Sequence, residues 1–110
     1  MNSLGLSGEQ QAKKYLIKQG YKVLEINYKT VLGEIDIIAK KDDVIVFVEV
    51  KTRSNTKFGL PRESVTAYKQ NKIRTVATYY LKVKNMLNSA VRFDVIDILN
   101  NEITHITNCF

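Results

Sequence analysis

The chain has 110 residues, 45% hydrophobic and 25% charged, and its 17 Lys and Arg against 11 Asp and Glu give a formal net charge of +6. That length is expected to make one domain with one ordinary core, and the composition shows no low-complexity tract, internal repeat or glycine-rich linker. No segment reaches the length of a membrane span and no apolar stretch follows the start as a signal peptide requires, so no membrane association is expected and the expected setting is the cytoplasm.

Cys109 is the one cysteine and His105 the one histidine. This excludes an intramolecular disulfide, a cysteine-held zinc and any histidine cluster, and leaves His105 a structural or surface role. The basic excess favours a polyanionic partner, because any acidic site would leave the remaining surface more basic than the total.

Ser7-Gly8-Glu9-Gln10 opens the first helix, with Ser7 as N-cap, Gln10 at the reciprocal capping-box position and Gly20 just past the end. Ala12, Tyr15 and Leu16 form its inward stripe, extended by Gln19. Glu9 lies three residues before Ala12 and seven before Leu16, so it projects from the buried-facing side of the first turn. Pairing with Lys13, or with the helix N-terminus, would account for it equally. Tyr21 to Tyr28 then alternates with a phase change at Leu24-Glu25, which predicts a strand carrying a bulge or bend. Asn27, Lys29 and Thr30 are expected to connect it to the next strand.

Val31 to Arg53 is expected to form a hairpin. Its second arm, Val44 to Lys51, is dense in β-branched residues and reads as a central strand covered on both faces. Val44, Val46, Val48 and Val50 share one face; Ile45, Phe47, Glu49 and Lys51 share the other. On the first arm Glu34, Asp36 and Ile38 share one face and Ile35, Ile37 and Ala39 the other, with Lys40-Lys41-Asp42-Asp43 as the turn. Any connection with an even number of residues puts Asp36 beside Glu49 and Lys51.

Two carboxylates and an ammonium at the end of an apolar sheet are costly unless compensated. A divalent cation is one compensation, since Mg²⁺ suits one or two carboxylates with positions left for water and phosphate oxygens. A salt bridge from Lys51 to Glu49 or Asp36 that merely ends the core is the other.

Ser54 to Pro61 has turn composition and reads as a loop. Its position would bring Arg53 and Lys57 to a phosphate backbone, though solvated loop charges explain them as well. The second helix begins near Thr66, with Ile73, Val76, Ala77, Tyr80 and Leu81 as its core stripe. Lys69 and Lys72 continue that stripe over the sheet, either to contact phosphate or to cover the core with their stems. Val91 to Leu99 is an interior strand, and Asn100-Asn101 turns it into Ile103 to Ile106. The helical crossover predicts that it runs parallel to the strand bearing Glu49. Arg92 and Asp94 are expected to form a structural ion pair.

Gly33-Glu34-Ile35-Asp36 followed by Val46-Phe47-Val48-Glu49-Val50-Lys51-Thr52-Arg53 resembles the PD-(D/E)xK nuclease signature, and specifically the YraN family of small bacterial proteins, itself similar to archaeal Holliday junction resolvases. The likeness runs from Gly8-Glu9 through Gly20-Tyr21 and Phe58-Gly59-Leu60-Pro61 to Arg92-Phe93-Asp94-Val95 and Phe110. It implies an α/β, restriction-endonuclease-like αβββαβ(β) core with a central mixed sheet flanked by helices. It further implies a metal-dependent nuclease using Mg²⁺ or Mn²⁺ on nucleic acid, DNA rather than RNA, in structured or branched form. An accessory protein that binds nucleic acid with little cleavage is the alternative.

On this resemblance Asp36, Glu49 and the Val50 carbonyl would hold the metal, Glu9 would complete its surroundings, and Lys51 would orient or activate water. Glu34 shares the face of Asp36, with an adjacent salt bridge as its other explanation. Lys29 stands where the family often has arginine, which keeps the charge but loses bidentate geometry. Resolvases of this architecture are symmetric dimers, so a homodimer is implied, although the sequence itself carries no dimer signal.

Overall fold

The computed structural model describes residues 6–54 and 65–110. The elements are α1 (Gly8–Lys18), β1 (Lys22–Thr30), β2 (Gly33–Lys41), β3 (Val44–Arg53), α2 (Ala67–Val83), β4 (Ala90–Leu99) and β5 (Glu102–Ile106). One sheet runs in the order β1-β2-β3-β4-β5. All neighbours are antiparallel except β3 and β4, which the α2 crossover sets parallel. The result is the α/β layering expected of the αβββαβ(β) core, and among the described residues no helix is long and apolar enough to cross a membrane.

Local chemistry fixes the element ends. Ser7 and Gln10 form the reciprocal capping box of α1, and Gly20, at φ 93°, takes the left-handed position after it. Thr66 caps α2, its Oγ1 accepting from the Lys69 N–H at 3.2 Å. Asp42-Asp43 and Asn100-Asn101 are two-residue turns with φ of 51° and 64°, and 50° and 68°, the pattern that matches strand twist in a tight hairpin.

The sheet buries a core on each face. Ala12 and Leu16 of α1 pack on Ile37, Ala39, Val46, Val48, Ile96 and Ile98. The α2 stripe packs on Ile35, Ile38, Ile45, Phe47, Phe93 and Val95. Phe47 stacks on Phe93 with centroids 5.4 Å apart and meets the edge of Tyr80 at 6.1 Å. The face assignment of β3 therefore holds: its valines lie under α1, and Ile45 and Phe47 lie under α2.

Several expected boundaries move. β2 begins at Gly33, so Val31-Leu32 is the β1–β2 turn, with Val31 fully exposed. Asn27, Lys29 and Thr30 lie within β1, and Lys40 and Lys41 lie within β2, so the second turn is only Asp42-Asp43. Gln19 is exposed and does not extend the α1 stripe. The bulge expected near Leu24 is present, as the register shifts between Val23 and Glu25. A second irregularity was not legible: Asn27 has φ 52°, and around it the alternation fails. Ile35 consequently packs on the α2 side while Ile37 and Ala39 pack on the α1 side. The expected loop from Ser54 to Pro61 lies outside the described residues beyond Ser54.

Candidate active site

The β2–β3 ladder runs from Lys41↔Val44 to Ile37↔Val48 and goes no further, whereas β3 stays paired with β4 through Arg53↔Leu99. Asp36 and Glu49 are the next residues on each arm, so the two-residue turn places them opposite each other where the strands part. In place of a ladder bond, the Val50 N–H donates to Asp36 Oδ2 at 2.7 Å. An extended residue points its N–H and C=O to the same side, so the Val50 carbonyl also faces this opening.

Glu49 is 8% exposed and lies on the α2 side of β3. Its Oε2 receives two ammonium groups: Lys69 Nζ at 2.5 Å and Lys51 Nζ at 3.4 Å. Lys51 arrives from the same strand face, two residues on; Lys69 arrives from the first turn of α2. Burial works against the Glu49 charge, yet Lys69, Asp36 and Lys51 hold its pKa below the usual value. Among the described residues Asp36 has no such ion pair. Burial pushes its carboxyl up to about 7, and the Glu49 and Glu9 charges act in the same direction against the Val50 N–H. Burial and the neighbouring charges thus favour the proton on Asp36 over Glu49. For Lys51, burial and the Lys69 ammonium lower the pKa, opposed by Glu49.

Glu9 reaches the same region because α1 starts against the end of β3. A Cβ at Gly8 would stand 2.2 Å from Thr52 Oγ1 and 3.7 Å from Val50 Cγ1, so only glycine permits that approach. The half-buried Glu9 then lies near enough for its charge to act on Asp36. Among the described residues, however, no three His, Cys, Asp or Glu side chains are close enough to hold a metal by themselves. The donors at hand are two carboxylates and a carbonyl, all hard oxygens. Such a set fits Mg²⁺ or Mn²⁺ with waters completing the shell, and does not fit a zinc cage.

The other expected site residues are dispersed. Arg53 bonds Asp97 through Nε to Oδ1 at 2.8 Å and Nη2 to Oδ2 at 3.3 Å, so it braces β3 against β4. Lys72 is exposed, with Nζ 5.7 Å from the Tyr68 ring centroid, and does not continue the buried stripe. Lys57 lies outside the described residues. Glu34 is exposed and faces Lys29 across the β1–β2 hairpin, beside a recess of about 260 Å³. A larger groove of about 750 Å³ lies along α1 and Ile103 and includes none of the acidic candidates.

Arg92 and Asp94 form the expected ion pair, inside a network that sequence order conceals. Asp94 is fully buried and accepts from Arg92 Nε at 2.9 Å, Arg92 Nη2 at 2.8 Å and the Asn108 N–H at 2.9 Å. His105 Nε2 stands 2.7 Å from Asp94 Oδ2, while its Nδ1 is 3.2 Å from the Tyr15 hydroxyl. Burial opposes the Asp94 charge, but these partners hold its pKa below the ordinary carboxylate value. The network ties α1, β4 and β5 together and has no part in the Asp36–Glu49 pair.

The family model described as "Uncharacterised protein family UPF0102" matches residues 8–98, from the first residue of α1 almost to the end of β4. A "UPF0102 protein" of Clostridioides difficile (strain 630) is 53% identical over 105 residues, covering 94% of this chain and 92% of that protein. One of Syntrophomonas wolfei is 48% identical over 111 aligned positions, covering 97% and 96%. A third, of Clostridium perfringens (strain ATCC 13124), is 51% identical over 96 residues, covering 87% and 79%.

Proposed function

The chain belongs to the family UPF0102, the YraN family identified from its motifs, and from the geometry where β2 and β3 part we propose that it is a metal-dependent phosphodiesterase acting on nucleic acid. The observation that carries this reading is the Asp36–Glu49 carboxyl pair, half to fully buried at the end of an apolar sheet with the Lys51 ammonium on the same face. Burial and the Glu49 charge raise the Asp36 pKa to about 7, so a cation beside it would favour its ionised form.

The residues take the following roles. Asp36, Glu49 and the Val50 carbonyl would hold Mg²⁺ or Mn²⁺, with Glu9 in its outer surroundings. A divalent ion bound there would supply Lewis-acid polarisation of the phosphoryl group and a lowered pKa for bound water. Lys51 sets the attacking water in line and places its charge where the pentacovalent phosphate gains negative charge. The net charge of +6 supplies long-range attraction to the polyanion. DNA in branched form is the substrate class favoured by the motif likeness, with a symmetric dimer as the arrangement that would cut both strands.

One observation favours the second reading, an accessory protein that binds nucleic acid without efficient cleavage. Glu49 is already compensated by two ammonium groups from the chain itself. Cleavage with Mn²⁺ or Mg²⁺ across single-stranded, duplex, flap and four-way-junction DNA and structured RNA separates the two. The phosphodiesterase reading expects cutting that Asp36→Asn and Lys51→Ala both abolish. Salt-sensitive binding without cutting on every substrate refutes it in favour of the accessory role.

A further inference from the structure

Three features stand outside the roles given above: the groove beside Ile17 and Ile103, the Asp94 network, and Lys69. The groove has nothing to define its occupant and the network is internally satisfied. Lys69 is different, because it is aimed at the acidic pair.

We propose that Lys69 is the internal counter-cation of the metal-free site, exchanged away from Glu49 onto a substrate phosphate when a divalent ion is held there. This rests on the phosphodiesterase reading and adds to it a coupling between metal and nucleic acid. Lys69 and Lys51 both address the same oxygen, Glu49 Oε2, at 2.5 Å and 3.4 Å. Glu49 has only 9% of its side chain exposed, so a cation reaching that oxygen must displace one of them.

The two lysines are not equally displaceable. Lys51 lies on β3, on the rung it shares with Asp97 of β4, with 24% of its side chain exposed. Lys69 lies on the first turn of α2, three residues after the Thr66 cap, with 41% exposed, and its four-carbon stem can swing outward without breaking a ladder. Its ammonium, the nearer of the two to Glu49 Oε2, would repel a divalent ion held there more strongly than Lys51 does.

The outward position is also prepared for an anion. The first turn, Ala67-Tyr68-Lys69-Gln70, contains no carboxylate, and Lys72 is exposed on the next turn. A released Lys69 would therefore add its charge to that of Lys72 on a helix start without a carboxylate in its first turn, an arrangement that attracts a backbone phosphate. Metal binding would then present a phosphate contact that the metal-free protein withholds.

The test measures Mn²⁺ binding by titration calorimetry without nucleic acid, in wild type, Lys69→Met, Lys69→Gln and the Asp36→Asn control. Lys69→Gln keeps a hydrogen-bond donor for Glu49 should the methionine variant fold poorly. We expect both Lys69 variants to bind Mn²⁺ at least tenfold more tightly than wild type, and Mn²⁺ to strengthen duplex or junction binding at least tenfold less in them. Equal or weaker Mn²⁺ binding in both variants, with wild type binding normally, overturns the proposal and leaves the phosphodiesterase reading intact. No Mn²⁺ binding by any of the proteins overturns both.

Discussion

Replacing Asp36 by asparagine tests the electrostatics of the site without requiring a substrate. The folded protein holds this carboxyl at about 7 against an ordinary 3.8. Between those values the folded chain binds more protons than the unfolded chain, so stability must fall as pH rises through the interval. At about 1.36 kcal/mol per pH unit the full penalty would be roughly 4 kcal/mol. Asp36 is only half-buried, and screening by water reduces this to about 1–2 kcal/mol. Asparagine is neutral throughout; its Oδ1 can accept from Val50 and its Nδ2 can donate to Glu49, as the protonated acid does. In a chelator at pH 8, Asp36→Asn should melt above wild type by about 5–10 °C for a domain of this size, while at pH 4.5 the two should nearly coincide. Adding Mn²⁺ at pH 8 should raise wild type and leave the variant unmoved. A variant that melts below wild type at pH 8 in chelator would refute the assignment of Asp36 as the uncompensated partner.

Lys51→Met should lower single-turnover cleavage by about 10²–10⁴-fold while leaving Mn²⁺ binding in place, because its charge is used on the phosphoryl group. Gly8→Ala forces α1 or Thr52 to move and should cost about 1–3 kcal/mol in urea denaturation; Thr52→Ala, which removes the obstructing Oγ1, should restore most of that in the double variant. Asp94→Ala leaves the largely buried Arg92 without its carboxylate and should cost about 3 kcal/mol by the same assay, with no change in Mn²⁺ affinity. Since partners hold the Asp94 pKa below its ordinary value, its contribution is present above about pH 4 and is lost below it, so wild type should lose the Asp94-dependent stability on acidification and Asp94→Asn should not.

Much of this arrangement is legible in local sequence. The alternation of Val44 to Lys51 assigns both faces of β3, and an even turn is enough to put Asp36 across from Glu49. Capping residues locate α1 to within a residue, and the start expected near Thr66 falls within a residue of that of α2. What escapes is whatever depends on a partner distant in sequence. Arg53 and Asp97 are 44 residues apart and meet because β3 and β4 are parallel neighbours in one register; Tyr15 and His105 are 90 apart. Helical phase places Lys69 over the sheet but does not say that it ends on Glu49 rather than in water. Strict alternation also misplaces Ile35, because Asn27 adopts a left-handed conformation that no hydrophobic pattern announces.

The parting of β2 from β3 has a consequence for local opening. Past Ile37 and Val48 the two strands share no further rung, and the Val50 amide is held on that side by Asp36. Its hydrogen can therefore exchange with solvent through a small separation of the strand ends, on a route distinct from global unfolding of the sheet. The Val50 amide signal is accordingly a single-residue reporter: its exchange rate in deuterated buffer will register whether Asp36 is bonded to the backbone or engaged by a cation.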